Sequence, residues 1–167
     1  RADLETLYEK AKGQKAPVQQ AAGEDANTWN AKGISLAALG RWAEAVACYD
    51  KALALEPKLA ALHNNRGNSL RNLGRAQEAL AAFDQAIALD PLYPAPWENK
   101  ALLYANAQRN EEALACVDRA LTLDPTASGT WGTKGVLLGR MGREAEEIEA
   151  YDQALRIDPR NALIWFN

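Results

Sequence analysis

At 167 residues the chain is about one domain long, and its 48% hydrophobic content is enough for a packed core. Thirty-four alanines and 22 leucines against nine valines plus isoleucines favour helix over sheet, and no apolar run approaches the roughly 20 residues of a membrane helix. A net charge of −3 argues against a nucleic-acid groove, and two cysteines with one histidine are too few for a common structural zinc site.

Residues 1–25 read as a helical segment or arm. Leu4, Leu7, Tyr8 and Ala11 mark one amphipathic face, ending near Gly13. The stretch has no apolar leader. Tyr8 and Ala11 are spaced like Tyr49 and Ala52, so the segment is either a degenerate earlier helix or a simple cap. Pro17 and Gly23-Glu24-Asp25 read as a break, and Asp25 or Asn27 is placed to cap the next helix.

From Ala26 a period of 34 residues takes over. Trp29, Trp97, Trp131 and Trp165 share it, with His63 in the vacant slot. So do Pro57, Pro91, Pro125 and Pro159. Gly33, Gly67 and Gly135 follow with Ala101 in the gap; Gly40, Gly74 and Gly142 follow with Gln108. Ala52, Ala86, Ala120 and Ala154 complete the set. Columns in register at one period mean an internal repeat. Four units occupy 26–59, 60–93, 94–127 and 128–161, and 162–167 begins a fifth. A chain that starts with Arg and ends inside a unit reads as part of a longer or processed protein.

Each unit predicts a helix, a short turn and a second helix. In the first, Trp29, Gly33, Leu36 and Leu39 lie at helical spacing, and Gly40 closes the pattern. Ala45, Cys48, Tyr49, Ala52 and Leu53 mark the second helix, which Pro57 stops. Neither helix is long enough to stand alone. Gly33 and Ala45 are expected to let the two backbones approach, and Trp29, Leu36 and Tyr49 to fill the space toward neighbouring units. The pattern Trp29, Gly33, Leu36, Ala45, Tyr49, Ala52, Pro57 resembles the tetratricopeptide repeat, as do its three successors. The resemblance implies an all-α, right-handed superhelical solenoid of antiparallel helix–turn–helix repeats, with first helices lining a concave groove. It also implies a non-catalytic scaffold for peptides or partner domains.

One column breaks the pattern. The small residue at Ala45, Ala79 and Ala113 becomes Glu147. Burying an unpaired carboxylate costs several kcal/mol. Glu147 is therefore expected to reach solvent with its stem over Gly135, or to slip its helix, with Ala145 taking over the close contact.

Asparagine is a mediocre helix former, yet it crowds the first helices. The expected groove set is Asn30, Asn64, Asn65, Asn68, Arg71, Asn72, Asn99, Leu102, Asn106, Val136 and Arg140. An amide offers a donor and an acceptor, which suits a peptide main chain. Some superhelices of this family grip peptides through asparagines at the column of Asn65 and Asn99. The family's clamp for chaperone C-terminal tails lacks its charges here. Asn68 and Asn99 match its asparagines, but Asn64, Gly129 and Thr133 stand where cations belong. Arg71 and Arg140 remain to meet an acidic group on a ligand. Lys32, Arg66, Lys100 and Lys134 form a further column, expected to be solvated charges.

No catalytic, metal-binding or cofactor motif appears, and the glycine row Gly129, Gly132, Gly135 falls inside a first helix. His63 reads as a packing residue in a tryptophan slot. Cys48 and Cys116 lie two units apart, too far for a disulfide, and fit a reduced, cytoplasmic setting. The expected partner is a protein or peptide, with no nucleic acid and no membrane. The alternatives are a self-assembly module stacking through an open apolar end near Trp165, and a targeting domain of a larger enzyme.

Overall fold

The computed structural model describes residues 25–160, and among them it holds eight α-helices and no strand. They are α1 (Ala26–Ala38), α2 (Trp42–Leu55), α3 (Ala60–Asn72), α4 (Ala76–Leu89), α5 (Ala95–Asn106), α6 (Asn110–Leu123), α7 (Ser128–Arg140) and α8 (Glu144–Ile157). Each 34-residue unit supplies one antiparallel pair, and the pairs stack into a right-handed solenoid. Each hairpin packs internally, and its second helix packs on the first helix of the next. Successive first helices also touch, α1 with α3 and α3 with α5. That places first helices on the inside of the curve. The expected face at Leu4, Leu7, Tyr8 and Ala11, and the fifth unit with Trp165, lie outside the described residues.

The turns follow from single residues. Asp25 caps α1, its carboxylate accepting the Thr28 N–H at 2.7 Å. At the end of α1, Gly40 takes φ 73°, its N–H reaches Ala37 O, and the Arg41 N–H reaches Leu36 O. This paired closure satisfies carbonyls left free at the helix end. Gly74 and Gly142 repeat it, with φ of 74° and 71°. In the third unit Gln108 does the same at φ 59°, with Gln108 N–H on Ala105 O and Arg109 N–H on Tyr104 O. Each second helix then opens with an arginine whose guanidinium forks onto a glutamate in the first turn. The pairs are Arg41–Glu44, Arg75–Glu78, Arg109–Glu112 and Arg143–Glu146. A carboxylate there also suits the positive end of the helix dipole.

Inside each hairpin one glycine column makes room for a ring. A Cβ on Gly33 would lie 2.6 Å from Tyr49, on Gly67 2.6 Å from Phe83, and on Gly135 2.5 Å from Tyr151. The space opened by Gly33 is thus filled by the Tyr49 ring of the same hairpin rather than by a backbone approach, and Tyr49 also meets Leu62 of the next unit, as expected of it. The third unit trades both members at once, with Ala101 and Val117 fully buried together.

Glu147 is half-buried in a helix α8 of the same length as its three counterparts. Its carboxylate lies over Gly139, where a Cβ would sit 2.6 Å from Oε1. Gly135 is occupied by Tyr151, and Ala145 is exposed. The expected seat over Gly135 and the relief by Ala145 are therefore both corrected. The helix does not slip, because a glycine one turn along the partner helix clears space for the longer side chain.

The core is a row of layers. Tyr49 and Leu62 fill one, Leu70 and Phe83 the next, Val117 and Leu137 a third, and Leu114 and Leu138 a fourth. No single hairpin buries its apolar face alone, so stacking stabilises the fold. Cys48 and Cys116 are free and buried, Cys116 in the layer of Val117 and Leu137, and burial pushes the Cys116 thiol pKa up. His63 is half-buried, with Nε2 at 2.9 Å from Pro57 O. Trp131 Nε1 donates to Pro125 O at 3.0 Å in the same column. With its proton on Nε2, His63 thus supplies the hydrogen bond that a tryptophan supplies two repeats on.

Candidate functional site

The inner face is built by α1, α3, α5 and α7, and its asparagines first bind one another. Asn65 Nδ2 donates to Asn30 Oδ1 at 3.2 Å, and Asn99 Nδ2 donates to Asn64 Oδ1 at 3.0 Å. Asn64 Nδ2 continues to the Tyr93 hydroxyl at 3.3 Å. Burial pushes the Tyr93 hydroxyl pKa up, while the bond from Asn64 pulls it the other way. A 35-residue offset brings the amides of neighbouring first helices opposite each other. Asn64 is only 4% exposed, with both ends of its amide engaged. It is corrected from a groove residue to a buried tie between repeats, because a buried amide must satisfy its donor and acceptor.

The remaining expected residues fall into separate clefts. Asn65, Asn68, Arg71 and Asn72 line one of about 350 Å³ between α1 and α3, walled by Ile34 and Trp42. Asn72 Nδ2 donates to the Asn68 carbonyl at 2.8 Å. Leu102 lines a second cleft of about 510 Å³ with Glu98, Thr130 and Thr133. Asn106 and Arg140 line a third, of about 640 Å³, with Gln108 and Asn110. Arg140 Nη1 donates to Ala105 O at 3.3 Å. Val136 is half-buried and lines none of the three.

Reading columns singly passed over Glu98 and Thr130, which hydrogen-bond each other across α5 and α7. Their offset of 32 residues, close to the repeat period, is the signal that marks them as neighbours. Ser69 was missed too. It is 1% exposed and also lines the first cleft.

The charges are more committed than expected. Arg66 pairs with Asp50 at 2.6 Å, Lys100 with Asp84 at 2.5 Å, and Lys134 with Asp118 at 2.7 Å. Each bridge joins a second helix to the next first helix at a 16-residue offset. Lys32, Lys100 and Lys134 also lie over the rings of Trp29, Trp97 and Trp131. From Arg66 onward this column is corrected from solvated charge to inter-repeat pairing, while Lys32 stays exposed over Trp29. Among the described residues no group of His, Cys, Asp and Glu is arranged to hold a metal, and no helix is long and apolar enough to cross a membrane.

A family model for the tetratricopeptide repeat matches residues 30–94, 64–128 and 98–162. No curated protein sequence matches the chain. Among solved structures, one of MamA superposes with a TM-score of 0.76 at 18% identity, covering 94% of this chain and 88% of that one. The first TPR of Spaghetti (RPAP3), bound to an HSP90 peptide, gives 0.67 at 23% identity over 70% of this chain and 93% of that one. A Pseudomonas aeruginosa pilF structure gives 0.77 at 20% identity over 83% of this chain and 64% of that one. At these identities the likeness is one of fold.

Proposed function

Taking as premise that the chain belongs to the tetratricopeptide-repeat family, we propose that its inner face binds an extended peptide or a helix of a partner protein, without catalysis. The observation that carries this reading is the row of half-polar clefts along the first helices. They present amides, two arginines and the exposed apolar side chains Ile34 and Leu102 along the first helices. A groove built of repeated side-chain positions suits a polymer with its own repeat better than a compact small molecule. The RPAP3 repeat with its HSP90 peptide is a precedent within the fold. The ligand differs here, because this chain lacks the cations that clamp chaperone tails.

The test avoids the ladder amides, since removing Asn99 would strand the buried Asn64. Ile34→Asp with Leu102→Asp alters only exposed side chains and is expected to leave helicity unchanged. Proteins captured on the immobilised wild type are expected to be lost from this variant by at least about tenfold, the equivalent of 1.4 kcal/mol. Equal capture by both would overturn the groove reading.

Self-assembly through the C-terminal end is a second reading, favoured by one observation. Ile148 is 62% exposed, whereas Leu114 and Val46, in the same column, are 8% and 5% exposed. Light scattering over a concentration range tests it, and a strict monomer argues against it. A targeting role within a larger enzyme is compatible with either surface and is decided by the full-length gene.

A further inference from the structure

The cleft between α1 and α3 holds polar groups that the described residues leave unsatisfied. Ser69 is 1% exposed, and its Oγ has no hydrogen-bond partner. The Asn68 Oδ1, in the same cleft, is buried without a partner as well. Folded proteins leave few such atoms unpaired, and those that remain call for an explanation. Beside them stands Arg71. Its guanidinium is half-buried, and burial holds its pKa below the ordinary arginine value. Arg41, Arg75, Arg109 and Arg143 each hold a glutamate, and Arg66 holds an aspartate. Arg71 has no carboxylate among the described residues. A guanidinium keeps its charge when desolvated, so this cleft carries a positive charge without a counter-charge.

We propose that this cleft recognises an acidic side chain, aspartate or glutamate, inside an extended segment of a partner protein. Arg71 donates to the carboxylate and Ile34 contacts an adjacent apolar residue of the same segment, while Ser69 Oγ and Asn68 Oδ1 make the surrounding wall polar without touching the ligand. The fork of Arg71 matches one planar carboxylate with two parallel hydrogen bonds. Ile34 is 50% exposed at the rim and supplies the apolar wall. The carboxylate comes from a side chain rather than a chain terminus. The columns that would clamp a terminus hold Asn64, Gly129 and Thr133, which carry no charge. The asparagine ladder continues past the cleft to Asn99 on α5, so the segment has inner face to run along beyond it.

This inference rests on the peptide-groove reading, and its test separates the two. The probe is an array of ten-residue peptide pools, N-acetylated and C-amidated, random except for a central Glu, Asp, Gln or Lys. Labelled wild-type chain is expected to bind the Glu and Asp pools about tenfold above the Gln pool, with the Lys pool weakest. Arg71→Gln is expected to abolish that preference, and Arg119→Gln, an exposed arginine on the second helix α6, to retain it. Equal binding to Glu and Gln pools by the wild type overturns the inference with no variant involved. A preference that survives Arg71→Gln, or that appears only when the peptides carry a free C-terminus, overturns it too. Pools that bind well without acidic preference leave the groove reading standing and remove this one. Pools that fail to bind at all count against both.

Discussion

At Gly67 a methyl group would sit 2.6 Å from the Phe83 ring, and that contact decides what the position tolerates. The ring edge is held on all sides and cannot swing away as a flexible side chain would. Gly67→Ala is expected to destabilise the chain by about 1–3 kcal/mol, despite alanine's better helix propensity. Phe83→Val alone leaves a void and costs stability as well. Together they recreate the Ala101–Val117 pair of the third repeat, so the double variant should cost clearly less than the two singles combined. A double-mutant cycle by urea unfolding reads this coupling, and additive effects would mean that the two residues do not share space. Gly129 is the control, with nothing within 4 Å of its Cβ position. Gly129→Ala is expected to stabilise by about 0.5–1 kcal/mol. The 34-residue period displayed the Gly33 and Tyr49 columns separately but not their pairing. Only the trade to Ala101 and Val117 in one repeat hinted at contact. Glu147 was legible as an anomaly. Its relief was not, because Gly139 lies in a different column from the glycines that repeat.

At the scale of elements, the helix boundaries follow, with one exception, from glycines, prolines and a cap visible in the sequence. The exception is the turn at Gln108, where a residue with a Cβ adopts the left-handed conformation that costs about 1–2 kcal/mol. Gln108→Gly is expected to recover about 1 kcal/mol of that strain, read as a raised urea midpoint with unchanged helicity. The second helices have a different dependence. Each starts with an arginine hydrogen-bonded to a glutamate, which holds Glu44, Glu78, Glu112 and Glu146 below the usual carboxylate range. Because the folded pKa is depressed, this contribution is fully present above the unfolded value of about 4.3 and is lost as pH falls through the folded one. The urea midpoint is expected to hold level down to about pH 5 and to fall below it, with 1 M salt flattening the change by screening. A midpoint unchanged at pH 3 would show that the four exposed pairs contribute nothing. Four Arg-x-x-Glu quartets recur at the repeat period, a signal that reading columns singly passed over, whereas the Asp50–Arg66 bridge and its successors needed the stacking of one hairpin on the next.

For the whole molecule, stability is a sum over layers rather than the property of one core. Leu137, fully buried between the third and fourth repeats, tests this. Leu137→Ala is expected to cost about 2–5 kcal/mol and to raise hydrogen exchange first in α7 and α8, leaving α1 to α4 protected. Uniform loss of protection would instead mean a single cooperative core. The solenoid itself was legible in the sequence, because columns at one period leave few architectures open. The binding face was legible only in part. Asparagines were visible as an excess, but whether an amide faces a ligand or a neighbouring helix depends on how successive first helices meet. That geometry takes Asn64 out of the groove and leaves Asn68, Ser69 and Arg71 in it.

The most direct test of the groove maps a bound partner segment onto the isotopically labelled chain by NMR. Once a protein captured through the wild-type face has been reduced to its binding peptide, amide shifts are followed during its titration. The account predicts saturable shifts concentrated in α1, α3 and α5, at Ile34, Asn65, Asn68, Arg71 and Leu102, with little change in α4 and α6. Shifts centred on α8 at Ile148 and Ile157, or spread over the second helices, would contradict it.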